Sequence, residues 1–246
     1  MTTRTSLEAI RRATLAAFPP LSAEAQRLGL ALYHALTTTG PVRREELAAA
    51  VDVATREVIA ILDQPGMRCQ VQYDDDKHIV GFAGLSTAPT PHRVTLNGHR
   101  RFTWCAWDAL FIPDLVGESR ALVESVCPAT DKSIRLTVAG GRVSASGRYP
   151  VMSFVLPDVD GCAASTERSI ACFCDDIRFL SSYEVGVEWI AHRAGMFLLS
   201  LPDAFTLGGQ YTAARFPDAT IARRNSTGAS SPSLTPDDSA NGAWKC

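Results

Sequence analysis

The chain has 246 residues, of which 46% are hydrophobic and 20% charged, and its formal net charge is -2. That length and apolar content support one large domain or two small ones and exclude wholesale disorder. The near-neutral charge argues against a protein whose main work is holding nucleic acid or an anionic membrane, and no apolar run approaches the ~18–20 residues of a membrane span. The N-terminal stretch MTTRTSLEAIRRATLAAF mixes basic and acidic residues and lacks the apolar core of a secretory signal, so a cytoplasmic location is expected.

Leu7, Ile10, Arg11, Thr14, Leu15 and Phe18 trace one helical face that Pro19-Pro20 stops. Ser22 is a suitable N-cap for a second helix through Leu28, Leu32, Tyr33 and Leu36, which Gly40-Pro41 ends. Short helices over 45–50 and 55–62, joined by a turn, make a helix-turn-helix pattern. The segment CQVQYDDDKHIVGFAGL then predicts a hairpin with an acidic tip at Asp74 to Asp76. Helices followed by a hairpin outline a winged helix, whose usual work is reading DNA. Residues 1–64 carry seven Arg, no Lys and seven acidic residues, so the surface supplies little phosphate neutralisation and a scaffold is expected instead.

Asn97-Gly98 predicts a second hairpin. Beyond it, residues 104–111 read as a turn into a helix ending before Pro113. Residues 121–126, 134–138, 142–145 and 153–156 read as strands, and 172–181 as a buried strand or its end. Helices are expected over 183–192 and 202–210, with a short strand at 197–200 between them. The fold class is therefore α+β: a winged-helix-like helical region over 1–83, then a mixed α/β core over 84–216. The stretch 217–246, rich in Pro, Ser, Thr, Gly, Asn and Asp, reads as a disordered tail.

No P-loop, G-x-G-x-x-G, H-E-x-x-H or G-x-S-x-G signature is present. The five histidines, His34, His78, His92, His99 and His192, are scattered without metal-ligand spacing. His92 and Arg93 suit a structural turn or salt bridge, although Cys105 with His92 or His99 is an open nucleophilic pair. The seven cysteines, Cys69, Cys105, Cys127, Cys162, Cys172, Cys174 and Cys246, include no C-x-x-C pair, and most are expected to be thiols. Asp108 follows Cys105 by three residues, a spacing that puts both on one face of a helical turn. Cys172-Phe173-Cys174 is the one close cysteine pair, and Asp175-Asp176 follow it.

These blocks carry a resemblance. Pro89-Thr90-Pro91-His92-Arg93, Trp104-Cys105-Ala106-Trp107-Asp108-Ala109-Leu110-Phe111-Ile112-Pro113 and Ser125-Val126-Cys127-Pro128-Ala129-Thr130 resemble the organomercurial (alkylmercury) lyase family. So do Ser153-Phe154-Val155-Leu156-Pro157, Phe173-Cys174 and Phe179-Leu180-Ser181-Ser182, and the similarity runs from about residue 5 to 212. It implies protonolytic cleavage of carbon–mercury bonds, R-Hg⁺ + H⁺ giving R-H and Hg²⁺, in mercury detoxification. Cys105, Asp108 and Cys174 match the catalytic trio and would hold the Hg²⁺ product, and Cys127 matches a third recurrent cysteine, buried and inert. The sequence departs from the family at Cys172, where serine is frequent, at Asp175, where some members carry cysteine, and at Cys162. That leaves open whether Cys162, Cys172 or Cys246 also binds mercury.

The chemistry fits the resemblance. Mercury(II) is a soft cation that prefers thiolates. Two of them push charge onto the carbon, and a carboxyl made weakly acidic by burial among Trp104, Trp107 and Phe111 can deliver the proton. No organic cofactor is expected. External low-molecular-weight thiols or a mercuric reductase would take the ion, and neither nucleic acid nor membrane is an expected partner. A monomer is favoured. The competing readings are a winged-helix soft-metal sensor and a non-catalytic Hg(II)-sequestering protein.

Overall fold

The computed structural model describes residues 6–147 and 149–217. The expected 217–246 tail, with Cys246, therefore lies outside the described residues except for Pro217. Five helices come first: α1 (Leu7–Ala17), α2 (Ala23–Thr38), α3 (Arg44–Val51), α4 (Thr55–Leu62) and the single turn α5 (Pro65–Arg68). Serine side chains open the first two. Ser6 accepts from the Ala9 N–H and Ser22 from the Ala25 N–H, satisfying donors that a helix start otherwise leaves unpaired.

The strands β1 (Val71–Tyr73), β2 (Ile79–Phe82), β3 (Leu85–Ser86), β4 (His92–Leu96) and β5 (His99–Thr103) follow. The first hairpin is present, but it does not stand apart as a wing. Its strands continue through β3 into an eight-stranded antiparallel sheet of order β1-β2-β3-β5-β4-β6-β7-β8. Two tight turns set its register. Ala83 and Gly84 (φ 41° and 96°) join β2 to β3, and Asn97 and Gly98 (φ 49° and 77°) join β4 to β5, both with the two positive φ values of a type I′ hairpin turn. The other strands of this sheet are β6 (Arg120–Val126), β7 (Ser133–Ala139) and β8 (Arg142–Ala145). Buried and open positions alternate along β6 and β7, so Ala121, Val123, Ile134, Leu136 and Val138 face the core.

Between β5 and β6 runs α6 (Asp108–Leu115). It does not stop before Pro113 but passes through it, with the Val116 N–H still bonded to the Ile112 carbonyl at 3.0 Å. One missing donor is outweighed by burial of Ile112 and Leu115 in the core. After β9 (Val151–Phe154) come α7 (Val159–Ala164) and α8 (Thr166–Cys172), in a stretch where the sequence pattern predicts no element; of the strand expected over 172–181, Cys172 instead ends α8. The inward face of α8 is polar, through buried Thr166 and Ser169, so the helical period is hidden from a hydrophobic pattern. Thr166 is satisfied there by donating to the Val71 carbonyl at 2.8 Å. A single 3₁₀ turn, Cys174–Asp176, precedes β10 (Phe179–Leu180), the only strand in that expected run.

The chain closes with α9 (Tyr183–Ile190), β11 (Phe197–Ser200) and α10 (Leu201–Arg215). The last helix runs five residues past the expected end at Gln210, carrying Tyr211 and Arg215 into the interior. A small sheet, β10-β9-β11, lies beside the large one. Trp107 links the parts. It meets Phe111, Phe154, Phe173 and Tyr211 edge-on or tilted, and its Nε1–H donates to the Ala204 carbonyl at 2.9 Å. Trp107→Ala is expected to destabilise the protein by about 3–5 kcal/mol, the cost of an emptied aromatic site. Urea unfolding followed by circular dichroism checks it, and a loss below about 1 kcal/mol would contradict this packing role.

Candidate active site

Two segments far apart in the sequence meet beneath a cleft. The first is the bend from β5 into α6. Its backbone is pinned at three points: Trp104 N–H to the Gly84 carbonyl (2.8 Å), Ala106 N–H to the Ile177 carbonyl (3.2 Å), and the Thr103 hydroxyl to the Cys105 carbonyl (2.8 Å). Asp108, the first residue of α6, turns its carboxylate back so that Oδ2 accepts the Cys105 N–H at 3.0 Å. Cys105 thus lies before the helix rather than on it. The i,i+3 proximity expected from the sequence arises through this side-chain-to-backbone hydrogen bond.

The second segment is the 3₁₀ turn that begins at Cys174. The Sγ atoms of Cys105 and Cys174 and a carboxylate oxygen of Asp108 all lie within 4.8 Å of one another, and all three residues are buried. Among the described residues no histidine joins this cluster. His92 sits in β4, where Nδ1 meets the Ser125 hydroxyl at 2.9 Å and Nε2 faces Arg178 at 3.5 Å. Burial, reinforced by the Arg178 charge, pushes its pKa down to about 3, so it is a neutral structural residue. It belongs to a strand rather than to the turn or salt bridge expected, and Arg93 is exposed on the same strand. His99, at the exposed start of β5, is likewise outside the cluster.

Burial is the largest influence on Asp108 and Cys105, and the hydrogen bond with Cys105 is the largest on Cys174. It lifts the Asp108 carboxyl to about 7, against the pull of hydrogen bonds from the Cys105 thiol and N–H. Burial also raises the Cys105 thiol well above its ordinary range, helped by its hydrogen bond to Cys174 and by the negative charge of Asp108. For Cys174 the hydrogen bond from Cys105 pulls downward. Burial and the carboxylates of Asp108 and Asp175 push upward and prevail. Three acidic groups therefore share protons within one small space.

The cleft above them is narrow, about 20 Å³, and is lined by Phe18, Gln70, Ala83, Gly84, Trp104, Trp107, Asp108, Ser169, Phe173, Cys174 and Tyr211. Asp108 (7% exposed) and Cys174 (5%) reach it, whereas Cys105 (0%) lies behind them. Trp104 and Trp107 are both core and cleft wall, and the Nε1 of Trp104 is left without a hydrogen-bond partner. Sequence reasoning missed three contributors. Gly84 abuts Asp108, since a Cβ built there would stand 2.5 Å from the Asp108 Cγ. Its only sequence signal was a glycine in Phe-Ala-Gly-Leu between two strands. Tyr211 lines the cleft, and Arg215 (1% exposed) donates to the Tyr211 hydroxyl at 2.7 Å and to the Gln70 side chain at 3.3 Å. A helix expected to end at Gln210 gave no sign of either.

The other described cysteines fall outside the cluster. Cys127 is buried, but its surroundings are polar. Against the opposing effect of burial, hydrogen bonds from the Thr130 and Ser181 hydroxyls and the Ser181 and Ala129 N–H groups hold its thiol below the ordinary range. Cys162 and Cys172 face each other with their sulfurs 3.5 Å apart.

The alkylmercury lyase family model matches residues 85–213. The alkylmercury lyase of Staphylococcus epidermidis is 34% identical over 180 residues, covering 73% of this chain and 78% of that one. The alkylmercury lyase of Pseudomonas putida is 35% identical over 184 residues (74% and 81%), and that of Streptomyces lividans 33% over 175 (71% and 76%). The fold is similar to a crystal structure of the mercury-bound form of MerB2, with a TM-score of 0.68 at 22% identity over 84% of this chain and 97% of that chain. With a matching family model and relatives aligned over most of their length, the chain belongs to the alkylmercury lyase family.

Proposed function

We propose that Cys105, Cys174 and Asp108 carry out the protonolysis of carbon–mercury bonds, with residues 84–216 as the catalytic part and 1–83 as its scaffold. The observation that carries this assignment is the buried convergence of two thiols and one carboxyl within 4.8 Å. The organomercurial is the substrate, arriving as a thiol adduct, R-Hg-SR′. Cys174, at the cleft surface, exchanges for R′S⁻ and releases R′SH. The Cys105 thiol passes its proton to Asp108, and the resulting thiolate becomes a second ligand to mercury. Electron density moves onto the carbon. The Asp108 carboxyl then protonates it, and the electron pair of the C–Hg bond becomes that of the new C–H bond. The sum is R-Hg-SR′ plus two cysteine thiols, giving R-H, R′SH and Hg(II) held by two thiolates, with Asp108 returned to carboxylate.

No organic cofactor enters this scheme. Low-molecular-weight thiols, or a mercuric reductase, would accept the ion by further thiol exchange in the cytoplasm. Among the described residues no helix is long and apolar enough to cross a membrane.

Headspace gas chromatography tests the assignment. Methylmercury or phenylmercury supplied with excess thiol should yield methane or benzene from the wild type, and at least ~100-fold less from Cys105→Ala or Cys174→Ser. Full activity in Cys174→Ser would overturn it, and tight mercury binding without hydrocarbon from the wild type would leave a sequestering protein. The pH dependence has a definite sign. Asp108 must begin as carboxylate to take the Cys105 proton, and its pKa is raised to about 7. kcat/KM is therefore expected to rise with pH up to about 7 and then level off. A flat profile between pH 5 and 7 would contradict the shuttle.

A further inference from the structure

Beside the trio lies a second pair of thiols that the scheme above does not use. Cys162, on α7, is fully buried, and Cys172, the last residue of α8, is half-buried. Their Sγ atoms stand 3.5 Å apart, in contact but far beyond the ~2.05 Å of a disulfide. The two helices share Ser165, the C-cap of one and the N-cap of the other, so the pair is fixed by a local helical hairpin and not by chance surface proximity. Gly161 makes room for it, since a Cβ there would lie 3.2 Å from the Cys172 sulfur. Only Phe173, which lines the cleft, separates Cys172 from Cys174.

We propose that Cys162 and Cys172 form a second dithiol site for Hg(II), adjacent to the catalytic trio. The inference rests on the lyase reading only for the source of the ion. Two thiolates suffice for this soft cation, whereas zinc would need four ligands and finds only two here. Binding is Hg²⁺ plus two thiols giving a bis-thiolate and two protons, with no change of oxidation state. Because both sulfurs belong to one rigid hairpin, the second bond forms intramolecularly, and its effective concentration exceeds that of free monothiol. Partial exposure of Cys172 supplies the path by which the ion arrives. Cys172 is the last residue of α8, next to the Phe173 turn, where the sulfurs can part to admit it.

The test uses the full-length chain with Cys105→Ser, Cys174→Ser and Cys246→Ser, reduced with a phosphine and freed of it. Mercuric chloride is added, excess glutathione is applied, and mercury retained after gel filtration is measured by mass spectrometry. We expect one mercury per chain with a thiolate-to-mercury charge-transfer absorption, and a drop of at least tenfold on adding Cys172→Ser or Cys162→Ser. Cys172→Ser is the safer variant for folding because that side chain is partly exposed, and circular dichroism verifies it. No retained mercury, or retention unchanged by both substitutions, would overturn the site. Hydrocarbon release by the wild type is read separately, so failure of this site and failure of the lyase assignment give different results.

Discussion

Asp108→Asn is expected to slow hydrocarbon release by at least ~100-fold while leaving both thiols able to hold mercury, and at the same time to make the protein more stable at pH 8. The first effect follows from the missing proton carrier. The second follows from linkage. The Asp108 pKa is raised to about 7 from an ordinary 3.8, mainly by burial, so the folded state binds this proton more tightly than the unfolded chain does. Stability contributed by the neutral carboxyl is full below about pH 4 and is lost as pH rises through about 7. Above that, the buried charge costs a few kcal/mol, at roughly 1.4 kcal/mol per pKa unit. An amide carries no such charge and can still accept the Cys105 N–H. Differential scanning calorimetry at pH 5 and pH 8 should therefore show the variant gaining more over wild type at pH 8. A smaller gain at pH 8, or wild-type hydrocarbon release, would contradict the assigned role.

Gly84→Ala should be nearly as damaging, although it leaves the trio chemically intact. A Cβ at this position would fall 2.5 Å from both Cγ and Oδ1 of Asp108, and the backbone φ of 96° already disfavours any side chain. We expect a loss of about 1–3 kcal/mol from strain. Activity should fall by at least ~10-fold, because a carboxylate displaced by about 1 Å no longer meets the reacting carbon. Gly98→Ala is the control. Its φ of 77° carries similar strain, but nothing lies within 4 Å of the added carbon, so stability falls while hydrocarbon release per folded molecule stays at the wild-type level. Equal activity losses in the two variants would show that only backbone strain matters.

Local chemistry made part of this molecule legible in the sequence. Asn97-Gly98 declared its hairpin, and Ser22 and Pro19-Pro20 marked helix boundaries, because caps and tight turns are decided by a few neighbouring residues. The Cys105–Asp108 spacing gave a pair, but only the family resemblance singled out Cys174 as its partner, since contact across so many residues is a property of the folded sheet. The helices α7 and α8 stayed hidden because Thr166 and Ser169 are polar residues on an inward face. The joining of the first hairpin to the large sheet stayed hidden for a different reason. A hairpin's own alternation does not say which further strand it will pair with, and that choice is made by the rest of the sheet. Gly84 and Arg215 act through shape and burial around the site, and neither leaves a motif.

The two thiols of the trio belong to segments whose direct backbone link here is the Ala106-to-Ile177 hydrogen bond. A mercuric ion bridging Cys105 and Cys174, as proposed, would therefore close a ring of about 70 residues, as a disulfide would, and in the chain-entropy picture such a closure removes on the order of 4 kcal/mol of freedom from the unfolded chain. On the proposed scheme, turnover would alternate between an open polymer and a cross-linked one. The loaded form is expected to resist heat and proteases best, and each thiol that strips the metal would return the chain to its looser topology. The reaction product would in this sense be a removable staple, making the protein toughest while the toxicant it has just made is still inside it.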